Sequence, residues 1–235
     1  MAELWQLMTS HPLFALLLTL ASFQLALAIY QRSGRNVLLQ PFLLTCVPIF
    51  CCIKLGVLSL PQFQSGTAVL SMLLGPATVA LAVPLYRFIH AILDQAWLLL
   101  CAIVIGAFTA TASAYLLAVW AGAQQIVALS ILPKTVTTPI AMEVAQSLGG
   151  LPAIAAGCVA ITGIVGAIAG PWLFDRLHIT DPRVRGLALG LAAHAVGTAR
   201  AFDESPQTGA YASLGLGITG ILIALTLPFV GQLLL

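Results

Sequence analysis

Long uncharged apolar stretches alternate with short polar clusters from one end of the chain to the other. Pro12 to Tyr30 carries no charge, and Val37 to Ile53 ends at Lys54, which can snorkel. Thr67 to Tyr86 is a third stretch. Trp97 to Trp120 is a fourth, with a tryptophan at each end where interfacial aromatics belong. Ile126 to Leu148 is interrupted by Pro133 and Pro139. Leu151 to Phe174 and Gly209 to Leu235 are continuous, and the stretch between Arg185 and Arg200 is apolar but too short to span. A spanning helix needs about 20 mostly apolar residues, and backbone exposed to lipid must close its hydrogen bonds within each segment. The pattern predicts an all-α polytopic membrane protein of about seven or eight hydrophobic segments, some broken or re-entrant. The loops are short, so residues 1–235 read as one integral membrane domain.

Composition agrees. Residues are 60% hydrophobic and 7% charged, against about 25% charged in soluble domains, so lipid must solvate most of the surface. A net charge of +2, with basic residues placed singly, gives no footprint for nucleic acid. No basic residue precedes the first apolar stretch, so it reads as a retained helix and not as a cleaved signal. Cys46, Cys51, Cys52, Cys101 and Cys158 lie in apolar stretches without metal-ligand spacing, and neither a disulfide nor a metal site nor a cofactor is expected.

Basic loops orient the chain. Arg32 and Arg35 place the first loop in the cytoplasm and the N-terminus outside, and Arg87 again falls inside. A conflict then arises. If Ile126 to Leu148 crosses fully, Arg176, Arg183 and Arg185 emerge on the wrong side; if it dips in and returns, they emerge inside. The rule favours a re-entrant or broken segment.

Three interruptions stand out. In Gly75 to Tyr86, the Gly75-Pro76 pair predicts a split into two half-helices, with Pro76 opening the second and Pro76, Ala77, Thr78 and Val79 at the break. Leu132 to Pro139 packs two prolines, three threonines and Lys134 between apolar flanks. A lysine near the bilayer centre costs about 3 kcal/mol. Lys134, Thr135, Thr137 and Thr138 beside a half-helix N-terminus would attract an anion. Gly190 to Arg200 sets His194 and Thr198 among glycines and alanines. Pro76 to Val79 and Pro133 to Val136 share Pro-x-Thr-Val, a possible internal repeat, and paired broken segments point to a transporter's binding site. Each candidate has a plainer alternative. Thr78 can bond its own helix, Lys134 can snorkel, and His194 can be a packed core histidine. Glu143 can pair with Lys134, face water or carry a proton, and Arg200 can be interfacial. Gly163 to Gly170 reads as close helix packing. Neither HExxH nor GxSxG occurs, and no enzyme is expected.

The stretches GPATVALAVPLY (Gly75 to Tyr86), PKTVTTPIAM (Pro133 to Met142) and GLALGLAAHAVGTARA (Gly186 to Ala201) resemble the LrgB/CidB family of bacterial membrane proteins. The C-terminal domain of the plant plastidic glycolate/glycerate transporter is similar to that family. The resemblance implies a multi-pass protein of the bacterial inner membrane, related to inverted-repeat transporters that often work by an elevator motion. It implies either of two activities. One is secondary transport of small monocarboxylates (glycolate, glycerate, lactate or pyruvate). The other is antiholin-like control of murein hydrolases and autolysis, with a small LrgA/CidA-like partner. In the transport reading Pro76 to Val79 and Pro133 to Thr138 line the anion site beside His194, and Glu143 or His194 carries a coupling proton. Homodimerisation fits a chain with few helices for a rigid frame. Thr135 stands where serine is common in the family, and Gln207-Thr208-Gly209 replaces a more acidic run.

Overall fold

The computed structural model describes residues 11–34 and 39–231, which are helical with short connections and no strand. Arg35, the start of the second apolar stretch and the residues before the first lie outside the described residues, as does the side chain of Thr78. Five stretches are long and apolar enough to cross a membrane: Leu13–Arg32, Ala68–Arg87, Ala96–Trp120, Pro152–Arg176 and Pro206–Val230. The chain divides into two compact units, Met1–Ala80 and Leu81–Leu235.

In the first unit, α1 (Pro12–Arg32) packs on α2 (Pro41–Lys54) and α3 (Leu60–Gly66), and α4 (Ala68–Ala80) follows. Proline opens both α1 and α2, where its missing N–H costs nothing. Ser59 and Gln62 close a reciprocal capping box on α3. The expected split at Gly75-Pro76 does not occur. Pro76 lies inside α4, and the chain passes on to the next helix through Leu81, whose φ −64° and ψ −17° are still helical. A proline ring removes one donor and bends a helix, but a transmembrane helix survives this where its other hydrogen bonds hold. The two Pro-x-Thr-Val stretches therefore differ in backbone: one is helix and the other a connection, so they are not a structural repeat.

The second unit contains α5 (Ala82–Arg87), α6 (Ile89–Leu93), α7 (Ala96–Trp120), α8 (Gln125–Ile131), α9 (Thr138–Ser147), α10 (Pro152–Arg176), α11 (Pro182–Glu204) and α12 (Pro206–Gly231). Two re-entrant hairpins organise it. The first is α8, its connection and α9. Ser130 donates from Oγ to the Ile126 carbonyl at 2.6 Å and accepts from the Leu151 N–H at 2.7 Å. The two bonds in series bring the beginning and end of Ile126–Leu148 to one level, so this segment turns back instead of crossing. α10 then runs from that face to the opposite one.

The second hairpin lies within α11. Ala193 (φ −120°, ψ 15°) and His194 (φ 42°, ψ −133°) break it into two legs. The legs fold together so closely that Arg185 and Glu204 form an ion pair at 2.9 Å, whereas a straight helix rises about 1.5 Å per residue and would hold them far apart. Arg185 also reaches Asp175 at 2.7 Å and the Ile179 carbonyl. The second hairpin therefore opens on the face where α10 ends, and α12 crosses back. A hairpin followed by a crossing helix occurs twice, with opposite orientation. The repeat is inverted, but its copies are 125–176 and 182–231.

Glycine makes this packing possible. A β-carbon on Gly186 or Gly190 would collide with the Thr208 or Ala212 carbonyl of α12, and one on Gly197 with the Leu189 carbonyl of the other leg. On α10, β-carbons at Gly166 and Gly170 would lie 2.6 Å from Ala193 and 2.8 Å from Leu189. This is the small-residue packing that replaces the hydrophobic effect inside lipid.

Candidate functional site between the hairpin tips

Each crossing helix serves one hairpin in one half and the other hairpin in the other half. On α10, Ala155 and Val159 pack with Leu129, Leu132 and Val136 of the first hairpin, while Gly163, Gly166 and Gly170 meet His194, Ala193 and Leu189 of the second. On α12, Gly215 approaches the Leu187 carbonyl of the second hairpin, and Gly220 approaches Ile140 of the first. Both tips thus pack along the same stretch of α10, from Ala155 to Gly163.

Lys134 stands at the first tip, half-buried, within electrostatic range of Cys158 on α10. Among the described residues it forms no ion pair. Thr135 beside it is 1% exposed, and its hydroxyl has no hydrogen-bond partner. At the second tip the His194 ring nitrogen Nε2 lies 2.9 Å from the Val159 carbonyl, one residue from Cys158. The same ring presses on Gly163, whose β-carbon would lie 2.7 Å from it. Thr198 donates to the His194 carbonyl at 2.9 Å, which fixes the broken turn. Each tip is followed by a half-helix, α9 at the first and the second leg of α11 at the second, and the α9 N-cap residue Thr137 makes no side-chain capping hydrogen bond.

Lys134 of one tip and His194 of the other are therefore brought to the neighbouring residues Cys158 and Val159 of α10, with Thr135 beside the first and Thr198 one turn beyond the second. Thr137 is half-buried at the α9 N-cap and Thr138 is exposed. Pro76, Ala77 and Val79 are exposed on α4 of the first unit; the convergence is internal to the second unit. Glu143 forms no ion pair with Lys134. It is exposed and lines a cavity of about 380 Å³ between α9 and α12 with Ser147, Ala224 and Pro228. Arg200 lies on the second leg, with Asp203 at 4.0 Å and its Nε buried without a partner. A larger cavity of about 520 Å³ between α7 and α12 is lined almost wholly by apolar side chains.

Sequence reasoning missed Thr219. It is 0% exposed on α12, one turn beyond Gly215, and its hydroxyl has no partner. α12 carries no charge, and its internal proline, Pro228, lies more than two turns from Thr219, so neither proline nor charge marks it in the sequence.

Opposed re-entrant hairpins, each followed by a crossing helix, define a polytopic membrane protein of inverted-repeat build. Comparison places it further. A family model described as LrgB-like matches residues 19–233, and the chain belongs to that family. It is 35% identical to an uncharacterized protein of Haemophilus influenzae, over 92% of this chain and 94% of that one. It is 29% identical to antiholin-like protein LrgB of Bacillus mycoides and 28% identical to that of Bacillus cereus, in each case over 95% of this chain and 99% of the relative. No solved structure matches.

Proposed function

We propose that this chain is an antiholin-like component of a bacterial cytoplasmic membrane, modulating murein hydrolysis and autolysis with a small LrgA/CidA-like membrane partner. The supporting observation is similarity along nearly the full length of two proteins named antiholin-like protein LrgB. The test is a strain lacking the chain, with and without the small partner, followed for autolysis and murein hydrolase activity. Unchanged autolysis in both backgrounds refutes the role. In this reading Arg87, Arg176, Arg183 and Arg185 face the cytoplasm, in keeping with the positive-inside rule. A reporter fused after Arg176 that is active only outside the cell overturns that orientation.

A second reading is carried by the hairpin tips: passage of a small monocarboxylate such as glycolate, glycerate, lactate or pyruvate. An ammonium without an ion pair, a buried hydroxyl without a partner and the half-helices that follow the two tips form a donor set for a carboxylate and a neighbouring oxygen. Saturable glycolate or pyruvate uptake by proteoliposomes supports this reading. Unsaturable leakage of ions and dyes that depends on the partner supports a pore-regulating role alone.

A further inference from the structure

We infer that the Thr219 hydroxyl is a ligand-binding group, contributed by α12 to a small-anion site between the hairpin tips; this rests on the second reading above.

The argument begins with what hydroxyls do elsewhere in this chain. Inside a helix, serine and threonine ordinarily donate to the carbonyl four residues back. Thr19, Thr45, Thr67, Ser130, Thr198, Ser213 and Thr226 all do so, at 2.6 to 2.9 Å. Among the described residues, the buried threonine hydroxyls without any partner belong to Thr111, Thr135 and Thr219. Thr111 lines the apolar groove between α7 and α12. Thr135 and Thr219 belong to the elements that meet at the tips.

The level of Thr219 follows from its helix. Gly186 meets Thr208, Gly190 meets Ala212, and Gly215 meets the Leu187 carbonyl and the Leu191 N–H, so α12 and the first leg of the second hairpin ascend together. One turn beyond Gly215 that leg has ended at His194. One residue beyond Thr219, Gly220 already faces Ile140 of the first hairpin. Thr219 occupies the position on α12 where one hairpin gives way to the other, as Val159 to Gly163 do on α10. A hydroxyl held dry without a partner is destabilising, a penalty that a bound anion or its water would remove. Valine there would fill the same space without that penalty.

The test compares wild type, Thr219→Val and Thr219→Ser in purified full-length protein, with glycolate and pyruvate as probes. Binding is read by ligand-dependent thermal shift and uptake in proteoliposomes. The expected result is that Thr219→Val melts no lower than wild type but needs about tenfold more carboxylate for the same shift, while Thr219→Ser stays within about twofold. Equal carboxylate dependence of wild type and Thr219→Val overturns the inference and leaves the second reading intact. A third arm is independent of the probes. Thr219→Cys, in a variant with all five native cysteines replaced, should react with an anionic thiosulfonate much faster than Ile221→Cys on the exposed face. Reaction there with no response of wild type to either carboxylate supports the hydrated anion site and removes the monocarboxylate reading. A thiol at 219 as inert as one at 221 overturns the inference whatever the carboxylates do.

Discussion

The Arg185 guanidinium holds the Glu204 carboxylate through two hydrogen bonds, of 2.9 and 3.0 Å, across nineteen residues of chain. This contact closes the base of the second hairpin, and Asp175 ties the same guanidinium to the end of α10. Both side chains of the main pair are about 85% removed from solvent. Removing Arg185 leaves the Glu204 carboxylate buried without this partner, and removing Glu204 leaves the guanidinium only Asp175 and the Ile179 carbonyl. Arg185→Ala or Glu204→Ala should cost on the order of 2 kcal/mol. The exchanged pair Arg185→Glu with Glu204→Arg should recover part of that loss. Thermal unfolding in detergent reads both effects; single variants as stable as wild type would show that the hairpin needs no closure at its base.

The glycines of α10, α11 and α12 should sort by what their missing β-carbons would meet. Gly190→Ala drives a methyl group into the Ala212 carbonyl, and the helices must separate. A loss of at least about 1–3 kcal/mol is expected. Gly157→Ala and Gly217→Ala meet nothing within 4 Å and should leave stability unchanged or raise it by up to about 1 kcal/mol. Parallel melting curves of the three variants check the contrast.

His194 sits at φ 42°, a region costly for any residue but glycine. His194→Gly loses the bond to Val159 but relieves the backbone, whereas His194→Ala loses the bond and keeps the strain. The glycine variant should therefore be more stable than the alanine variant by about 1 kcal/mol. The reverse order in denaturation would mean that the imidazole, and not the turn, decides the backbone there.

Lys134 bears a charge that no described carboxylate balances. Lys134→Met keeps the length and removes the cost of holding a cation at depth. The variant should melt higher than wild type and lose its response to glycolate and pyruvate. A variant that melts lower would indicate that the ammonium serves a structural contact.

Asp181 caps α11 and accepts three hydrogen bonds from the Arg183 side chain, two of them shared by Nε, and one from its backbone N–H. Those contacts hold its carboxyl below the usual range. Its contribution to stability is therefore present above the ordinary carboxylate pKa, about 4, and is lost as pH falls through the lowered value. Wild type should lose more stability than Asp181→Asn as pH falls below the ordinary carboxylate value of about 4, in melts stepped downward from there. Identical acid sensitivity would assign the loss to other carboxylates.

The sequence by itself determined the solvent of this protein. Uncharged runs near membrane length can be satisfied only by lipid and only as helices, so the class followed from residue type. The breaks at Leu132–Pro139 and Gly190–Arg200 were legible too, because proline, lysine and clustered glycine disturb a helix locally. Pro76 shows the limit of that logic: a proline lowers the cost of a break, but packing decides whether one occurs. The basic residues after Leu151 already favoured a turn back in Ile126–Leu148; tertiary structure alone decided that α11 is a hairpin and that the repeat runs from 125 rather than from Pro76. These depend on contacts between distant residues, such as Ser130 with Leu151 and Arg185 with Glu204. Thr219 gained its significance the same way, since a hydroxyl's missing partner is a property of its surroundings and not of its neighbours in the chain.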